Sequence, residues 1–125
     1  MAISKKVDLK IKDDKASLSE KIIIYRNDKG IDIYFKLSGL SYTFSNGIGN
    51  AYVSCAIKQP NDIILTKDGL TMNNDEIKLS ITGTMVDELS EVGTHTIQFF
   101  LYDSPARVNR ITIPEVSFEV KEPIA

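Results

Sequence analysis

Apolar and polar residues alternate along most of this chain in short runs. Successive side chains of a β-strand point to opposite faces of the sheet, so each run predicts a strand with one buried face. The clearest run places Ile31, Ile33, Phe35 and Leu37 on one face. Similar runs occupy residues 7–11, 51–57, 77–81 and 116–120. The pattern therefore favours an all-β protein.

The longest alternating run covers residues 93–103 and predicts a central strand. His95, Ile97, Phe99 and Leu101 share one face of this run, and the residues between them share the other. Because the first set is the more apolar, we expect it to face the core.

An acidic turn at residues 87–93 leads into the central strand through Gly93. In the tyrosine corner of immunoglobulin-like sandwiches, a Tyr two residues before a core cysteine bonds back to the turn backbone. Here His95 takes the position of that Tyr and Ile97 the position of the cysteine. The alternative is that His95 is an ordinary inward or rim side chain, and the sequence leaves both interpretations open.

Turn residues and apolar runs predict several further elements. The apolar run at residues 22–25 is too short for a helix and predicts a strand with both faces partly covered. Turn residues at 26–30 predict that the next strand pairs back on it antiparallel. Residues 39–50 have no period and predict a long loop that crosses between sheets. An Asp-Gly pair within residues 67–69 predicts another turn, and one short helical turn is expected near residues 85–91.

Together these runs predict about eight or nine strands separated by turns. Two packed antiparallel sheets account for them, so the predicted fold class is an all-β, immunoglobulin-like antiparallel β-sandwich. No internal repeat or low-complexity segment divides residues 1–125, which we expect to form a single domain. A chain of this length buries roughly two-thirds of the surface that its unfolded form exposes, which is enough for one core.

Composition narrows the classes of partner and compartment. The single cysteine, Cys55, excludes an internal disulfide and lies on the apolar face of a predicted strand, which indicates a buried, unreactive thiol. A net charge of −2, with acidic and basic residues interspersed, provides no basic stripe for a nucleic acid. Residues 1–8 lack the apolar core of a signal peptide, and no run approaches the ~20 apolar residues that span a bilayer. We expect a protein that folds in a cytoplasm and binds neither nucleic acid nor membrane.

No arrangement of residues indicates catalysis or metal binding. One His and one Cys, on separate predicted strands, are too few ligands for zinc. The carboxylate pairs at residues 13–14, 75–76 and 87–88 lack the spaced oxygens and glycine of an EF-hand, and surface turns explain them better. Residues 45–50 contain two glycines but lead into a strand, which argues against a phosphate-binding loop. We therefore expect a non-enzyme without catalytic residues, metal or cofactor.

Several aromatic residues occupy the polar faces of the predicted strands. If the apolar set of each run faces the core, then Tyr34, Tyr52, Phe100 and Tyr102 face outward. A protein or glycan contact surface explains them, because Tyr and Phe are enriched at interfaces. A loop such as residues 42–50 folded over this face explains them equally well. These four residues are the candidate protein-contact surface.

Three segments carry a resemblance to a known family. They are an apolar strand and turn at residues 21–30, an alternating strand at 33–37, and a Gly-led strand at 93–103 that ends in Tyr-Asp. A return strand then closes with Val-Lys-Glu-Pro at residues 120–123. In this order the segments resemble the N-terminal immunoglobulin-like domain of baseplate upper proteins, from tailed phages of Gram-positive bacteria. The resemblance covers residues 7–121.

The resemblance implies a structural role in a virion. In that family the N-terminal domain docks on the central hub of the tail tip. The rest of the chain forms a trimeric helical stalk that carries receptor-binding proteins to the host surface. By this resemblance we expect the N-terminal part of a longer, homotrimeric protein in a phage tail baseplate, assembled in the bacterial host cytoplasm. Its partners would be the hub protein and, through the rest of the chain, the receptor-binding protein.

Other classes of protein fit parts of the same pattern. A carbohydrate-binding module would stack sugars on Tyr34, Tyr52 and Tyr102, but the lack of tryptophan argues against it. An adhesin-like or secreted domain normally follows a leader, which residues 1–8 do not provide. An enzyme would need a convergent pocket, which short strands with one His do not suggest. A glycan screen separates the carbohydrate-binding interpretation from the baseplate interpretation.

Overall fold

The structure of the protein is a computed structural model that describes residues 3–26, 28–82, 89 and 91–124. Within these residues every regular element is a β-strand. In chain order the strands are β1 (Ile3–Lys12), β2 (Lys15–Leu18), β3 (Ile23–Tyr25), β4 (Ile31–Ser38), β5 (Tyr52–Lys58), β6 (Ile64–Asn73), β7 (Glu76–Ile81), β8 (Gly93–Tyr102), β9 (Arg110–Thr112) and β10 (Val116–Lys121).

The strands form one mixed sheet that curls into two layers. The first layer contains β2, β1, β4 and β7, and the second contains β5, β8, β10 and β3, with β9 paired to the end of β8. β6 joins the layers, because its residues up to Leu70 pair with β5 and those from Thr71 onward pair with β7. A register shift between Val53 and Cys55 of the β5–β6 ladder lies opposite Gly69, where φ is 71°. Such a bulge bends a strand, which lets β6 pass from one layer to the other.

One apolar core lies between the layers. Phe35 of β4 and Phe99 of β8 are each 1% exposed, and their ring centroids lie 5.0 Å apart across the two layers. Leu9, Ile77 and Leu101 contribute from β1, β7 and β8 and are completely buried. Burying each such side chain stabilises the fold by roughly 1.5–3 kcal/mol, so the sandwich holds by packing.

The architecture confirms the predicted all-β, immunoglobulin-like sandwich. Most neighbouring strands are antiparallel, as expected, but β1 pairs with β4, and β3 with β10, in parallel. After β2 the chain crosses to the second layer as β3 and then returns as β4. It therefore re-enters the first layer beside β1 and in the same direction, which a direct hairpin could not achieve.

One prediction about the first half of the chain is wrong, and another is confirmed. β3 and β4 do not pair with each other, because β3 lies at the edge of the second layer beside β10. The outer face of the run at residues 22–25 is covered in part, as predicted, since Ile23 is 44% and Tyr25 45% exposed there. The inner face of the run, with Ile22 and Ile24, is buried as predicted.

Three further details differ from the pattern or lie beyond it. The described residues form ten strands rather than eight or nine, because the polar residues 13–20 include the short edge strand β2. Residues 67–69 do not end a strand, since β6 continues through them as a bulge. The helical turn expected near residues 85–91 falls largely outside the described residues.

Candidate protein-contact surface

The structure separates the four outward aromatic residues into two groups. Tyr52, Phe100 and Tyr102 lie together on the outer face of the second layer, on the adjacent strands β5 and β8. Tyr34 lies on the outer face of the first layer, on β4, and therefore on the opposite side of the sandwich. Three of the predicted contact residues thus share a surface, and the fourth does not.

Register defines how the side chains of the second layer are arranged. Tyr52 of β5 lies opposite Tyr102 of β8, which in turn lies opposite Arg110 of β9. In the next row, Phe100 lies between Ser54 and Thr112. Paired residues of an antiparallel ladder point to the same face, so these two rows form one continuous outer surface across three strands.

Two arginines cover the rings of this surface. The Cζ atom of Arg107 lies 4.9 Å from the ring centroid of Tyr102, and that of Arg110 lies 5.2 Å from the ring centroid of Phe100. Both distances are typical of cation–π contacts. The arginines explain why Phe100 is only half-buried rather than exposed. We call the group Tyr52, Phe100, Tyr102, Arg107 and Arg110 the arginine–aromatic surface.

The loop that the sequence offered as a cover lies elsewhere. Residues 39–50 insert Phe44 into the core and, with Leu37 and Asp75, line a cleft of about 310 Å³ beside β4. The cover of the Phe100 ring comes from Arg110 instead. The loop does cross from the first layer to the second, as predicted.

The turn that carries Arg107 is held by its own hydrogen bonds. The carboxylate of Asp103 accepts the side-chain amide of Asn109 at 2.7 Å and its backbone N–H at 3.2 Å. Arg107 adopts a left-handed backbone with φ 57°, and its N–H donates to the carbonyl of Ser104 at 3.0 Å. The bonds from Asn109 also lower the pKa of Asp103, which keeps this acceptor ionised. The turn is therefore shaped before any partner arrives.

Asp68 fixes the position of Arg107 across the sheet. Its Oδ1 atom lies 2.9 Å from a guanidinium nitrogen of Arg107, and this contact raises the pKa of the arginine further. Asp68 belongs to the bulged part of β6, so the ion pair connects the β8–β9 turn to the strand that joins the layers. Both side chains are about half exposed or more, so we expect the pair to orient Arg107 rather than to add much stability.

Sequence reasoning missed the residues that complete this surface. Arg107, Arg110 and Asp68 carry no local motif, and only the pairing of β5 with β6 and of β8 with β5 and β9 brings them to the rings. The sequence does offer one signal, a turn predicted at residues 103–107 by its proline, with Arg107 at its end and Arg110 three positions later. A hairpin at that turn necessarily returns its second strand beside Tyr102.

His95 is an internal structural residue of the central strand. It is 0% exposed, its ring stacks on Phe118 at 5.2 Å, and Nδ1 lies 3.1 Å from the carbonyl oxygen of Gly93. Since that oxygen only accepts, Nδ1 carries the proton and donates. The side chain thus bonds to the backbone at the start of its own strand and is buried, which fits both the corner and the inward interpretation, and Ile97 is buried beside it. Nε2 has no hydrogen-bond partner among the residues that the structure describes.

We expect the protein to lose stability as the pH falls from 8 to 5, because of His95. Burial lowers the pKa of His95 below its usual 6.5, although the Gly93 carbonyl and the charge of Glu91 oppose the shift. Below pH 6.5 the unfolded chain therefore binds more protons than the folded one. The contribution of neutral His95 to stability is complete above that pH and decreases as the pH falls below it. Unfolding midpoints in urea, measured across this range, report the loss.

A His95→Phe variant is the matched control for this pH dependence. It keeps a ring against Phe118 but cannot titrate, so its stability should change little between pH 8 and 5 whatever its absolute value. A wild-type protein whose midpoint stays level or rises as the pH falls through 6 would contradict the buried, neutral histidine.

Other chemistry-bearing groups have structural surroundings. Cys55 is 2% exposed, and burial raises the pKa of its thiol to about 11, in line with the predicted unreactive cysteine. The described part of the chain contains no group of three or more His, Cys, Asp or Glu residues placed to hold a metal ion. Within those same residues, no helix is long and apolar enough to cross a membrane.

A polar groove of about 720 Å³ lies between β2 of the first layer, with the segment that follows it, and the β8 and β10 side of the second layer. Its lining, which consists of described residues, is rich in hydroxyl and carboxylate groups and contains no aromatic ring. The hydroxyl groups belong to Ser17, Ser19, Thr94, Thr96 and Ser117, and the carboxylates to Glu20 and Glu115. Sugar stacking of the kind that carbohydrate-binding modules use has no platform there.

Comparison with known proteins gives one kind of match. No family model matches the chain, and the comparison with curated proteins also finds no match. Among solved structures, the chain is similar to the N-terminal domain of phage TP901-1 ORF48, with a TM-score of 0.59 and 10% sequence identity. The alignment covers 96% of this chain and 98% of that domain. The likeness shows a shared fold.

Proposed function

We propose that this chain is a structural domain of a phage tail baseplate, which attaches a baseplate upper subunit to the central hub of the tail tip during host adsorption. The observation that carries the proposal is the end-to-end match with a phage N-terminal domain, over 96% of one chain and 98% of the other. A fold shared over nearly the whole of both matched chains supports equivalent places in related assemblies.

The contact surfaces of the fold support a docking role. The arginine–aromatic surface combines Tyr, Phe and Arg side chains, the types that dominate the energetics of protein interfaces. Its Arg107 lies on the turn held by Asp103 and Asn109, and its other residues lie on strands, so little conformational entropy is lost when a partner binds. In this proposal the domain belongs to the virion, and the receptor-binding protein is carried by the rest of a trimeric chain. The domain itself performs no catalysis and needs no cofactor.

Light scattering on a size-exclusion column tests the proposal directly. The chain is run alone, and then with the tail-tip hub protein of the same phage. In a second series it is fused to a trimeric coiled coil, because weak single contacts are strengthened when three copies bind together. We expect a stable complex with the hub in at least the trimeric series. Absence of a complex in both series would contradict the attachment role. A glycan screen would then test the carbohydrate-binding alternative.

We expect Phe100→Ser to weaken hub binding more than folding. Phe100 is half-buried beneath Arg110 on the outer face, so its removal should cost only about 1 kcal/mol of unfolding free energy. As a central ring of the contact surface it should contribute about 2 kcal/mol to binding, or roughly a 30-fold change in Kd. Isothermal titration calorimetry and thermal unfolding of the same samples measure the two effects.

Tyr34→Ser is the matched control for this prediction. Tyr34 is also an outward, half-buried ring beneath a cation, with Lys6 Nζ 5.9 Å from its centroid, but it lies on the opposite layer. Its loss should affect stability similarly and leave hub binding within about twofold of wild type. If the apparent affinity of Phe100→Ser for the hub fell only as far as the folded fraction of the variant falls, the ring would stabilise the fold and would not contact the hub.

A further inference from the structure

Cations lie over aromatic rings at several places on the outer faces, and most of these cations are already neutralised. Lys6, which lies over the ring of Tyr34, is 3.8 Å from a carboxylate oxygen of Glu76. Arg107, over the ring of Tyr102, is 2.9 Å from Asp68. In both cases a carboxylate of the same chain forms an ion pair with the cation, so the cation does not need an anion from a partner molecule.

Arg110 differs from these cations. It is exposed and holds its guanidinium over the ring of Phe100, but it makes no salt bridge with any residue that the structure describes. Its backbone pairs with Tyr102, so the side chain reaches the Phe100 ring diagonally across the ladder. A cation–π contact with a ring requires none of the guanidinium's five N–H groups to bond to an acceptor, so they remain available to one. Arg110 is thus oriented by the Phe100 ring, but no carboxylate among the described residues pairs with its charge.

The surroundings of Arg110 are suited to a protein partner. Tyr52, 50% exposed, belongs to the same outer face, and Val108, 76% exposed, precedes Arg110 by two positions in the adjoining turn. These side chains provide apolar contact area around a cationic centre. An acidic loop has the complementary charge, since carboxylates bind an arginine fork in a bidentate manner, and exposed apolar side chains can cover the loop's apolar atoms.

We infer that Arg110, which lies over the Phe100 ring, is the receptor for a carboxylate side chain on a loop of the hub protein. The inference rests on the proposed function and specifies the chemistry of its interface. Arg107 contributes to the same surface by contacting the Tyr102 ring. Its charge is already paired with that of Asp68. One acid in the partner loop is therefore sufficient, and it pairs with Arg110. The alternative is that Arg110 only shields Phe100 from water.

Arg110→Met separates the two roles. The methionine side chain keeps apolar cover over the Phe100 ring but removes the charge and its donors. Carboxylate recognition predicts that hub affinity falls about tenfold or more, since hydrogen bonds to charged groups are among the stronger contacts. It also predicts that the salt dependence of binding becomes shallower, whereas the thermal unfolding midpoint stays at the wild-type value.

Two companion variants sharpen the test. Lys121→Met removes one positive charge at the opposite end of the second layer, where Lys121 pairs with β3, and controls for the change in net charge. Its affinity should stay within about twofold of wild type, because distant exposed charges are screened. Arg110→Lys keeps the charge but loses the planar fork, so its affinity should lie between those of wild type and Arg110→Met.

The outcomes distinguish this inference from the proposed function. Affinities are measured by titration calorimetry at two salt concentrations, with whichever form of the chain binds the hub in light scattering. A wild-type complex that Arg110→Met leaves equally tight and equally salt-dependent overturns the carboxylate receptor and leaves the attachment role intact. A wild-type chain that forms no complex overturns the attachment role, and the receptor with it.

Discussion

Replacing Phe99 with alanine is expected to lower the free energy of unfolding by about 3–5 kcal/mol. Phe99 is 1% exposed and meets Phe35 at 5.0 Å between the two layers, so the substitution leaves a cavity that neighbouring strands cannot close. A domain has only roughly 5–15 kcal/mol of stability in total. The variant should therefore unfold at much lower urea concentration than wild type, or fail to fold.

Two companion substitutions keep this prediction measurable. Phe99→Leu preserves most of the buried volume and should cost only about 1 kcal/mol, so it reports on the site even if Phe99→Ala does not fold. Phe100→Ala removes the adjacent ring on the outward face and should also cost about 1 kcal/mol. Equal losses in Phe99→Ala and Phe100→Ala would mean that the inward and outward faces of β8 are assigned wrongly.

Gly39→Ala is expected to destabilise the protein by about 3 kcal/mol or more. Gly39 has φ 87°, a conformation that costs an alanine roughly 1–2 kcal/mol. A Cβ atom at this position would also overlap the backbone carbonyl oxygen of Ile11, which belongs to β1. Since a backbone atom cannot rotate away, β1 would have to move at the point where it contacts the start of the long loop.

Gly47→Ala provides the matched control within the same loop. Gly47 has a similar φ of 82°, but a Cβ atom there meets nothing within 4 Å. It should therefore show the conformational cost alone, about 1–2 kcal/mol. Urea unfolding of both variants measures the difference. Losses of the same size would show that β1 does not approach Gly39 as closely as the structure describes.

The core-facing residues of most strands could be predicted from the sequence, because burial has a period of two along a strand. The runs that contain Leu9, Phe35, Ile77, Phe99 and Phe118 all place their apolar residues in the core. Strand pairing could not be predicted in the same way. A short apolar run such as β3 pairs equally well with any free edge, and only the packing of the whole sandwich places it beside β10.

The candidate surface could be predicted only in part. Alternation was enough to place Tyr52, Phe100 and Tyr102 on the outside, but it could not show that Tyr34 lies on the other layer. That distinction depends on which strands share a layer, and β6 divides its pairing between the two. The arginine cover was also hidden, because Arg110 reaches Phe100 through a cross-strand diagonal that has no fixed spacing in sequence.

Hydrogen–deuterium exchange of the chain, alone and in complex with the tail-tip hub protein, tests the central claim most directly. The claim is that the domain docks through the arginine–aromatic surface. It predicts slower exchange on complex formation in the β8–β9 turn and β9, residues 103–112, and unchanged exchange in β4 around Tyr34. Protection of β4 with no change in residues 103–112, or no protection anywhere in the chain, would contradict it.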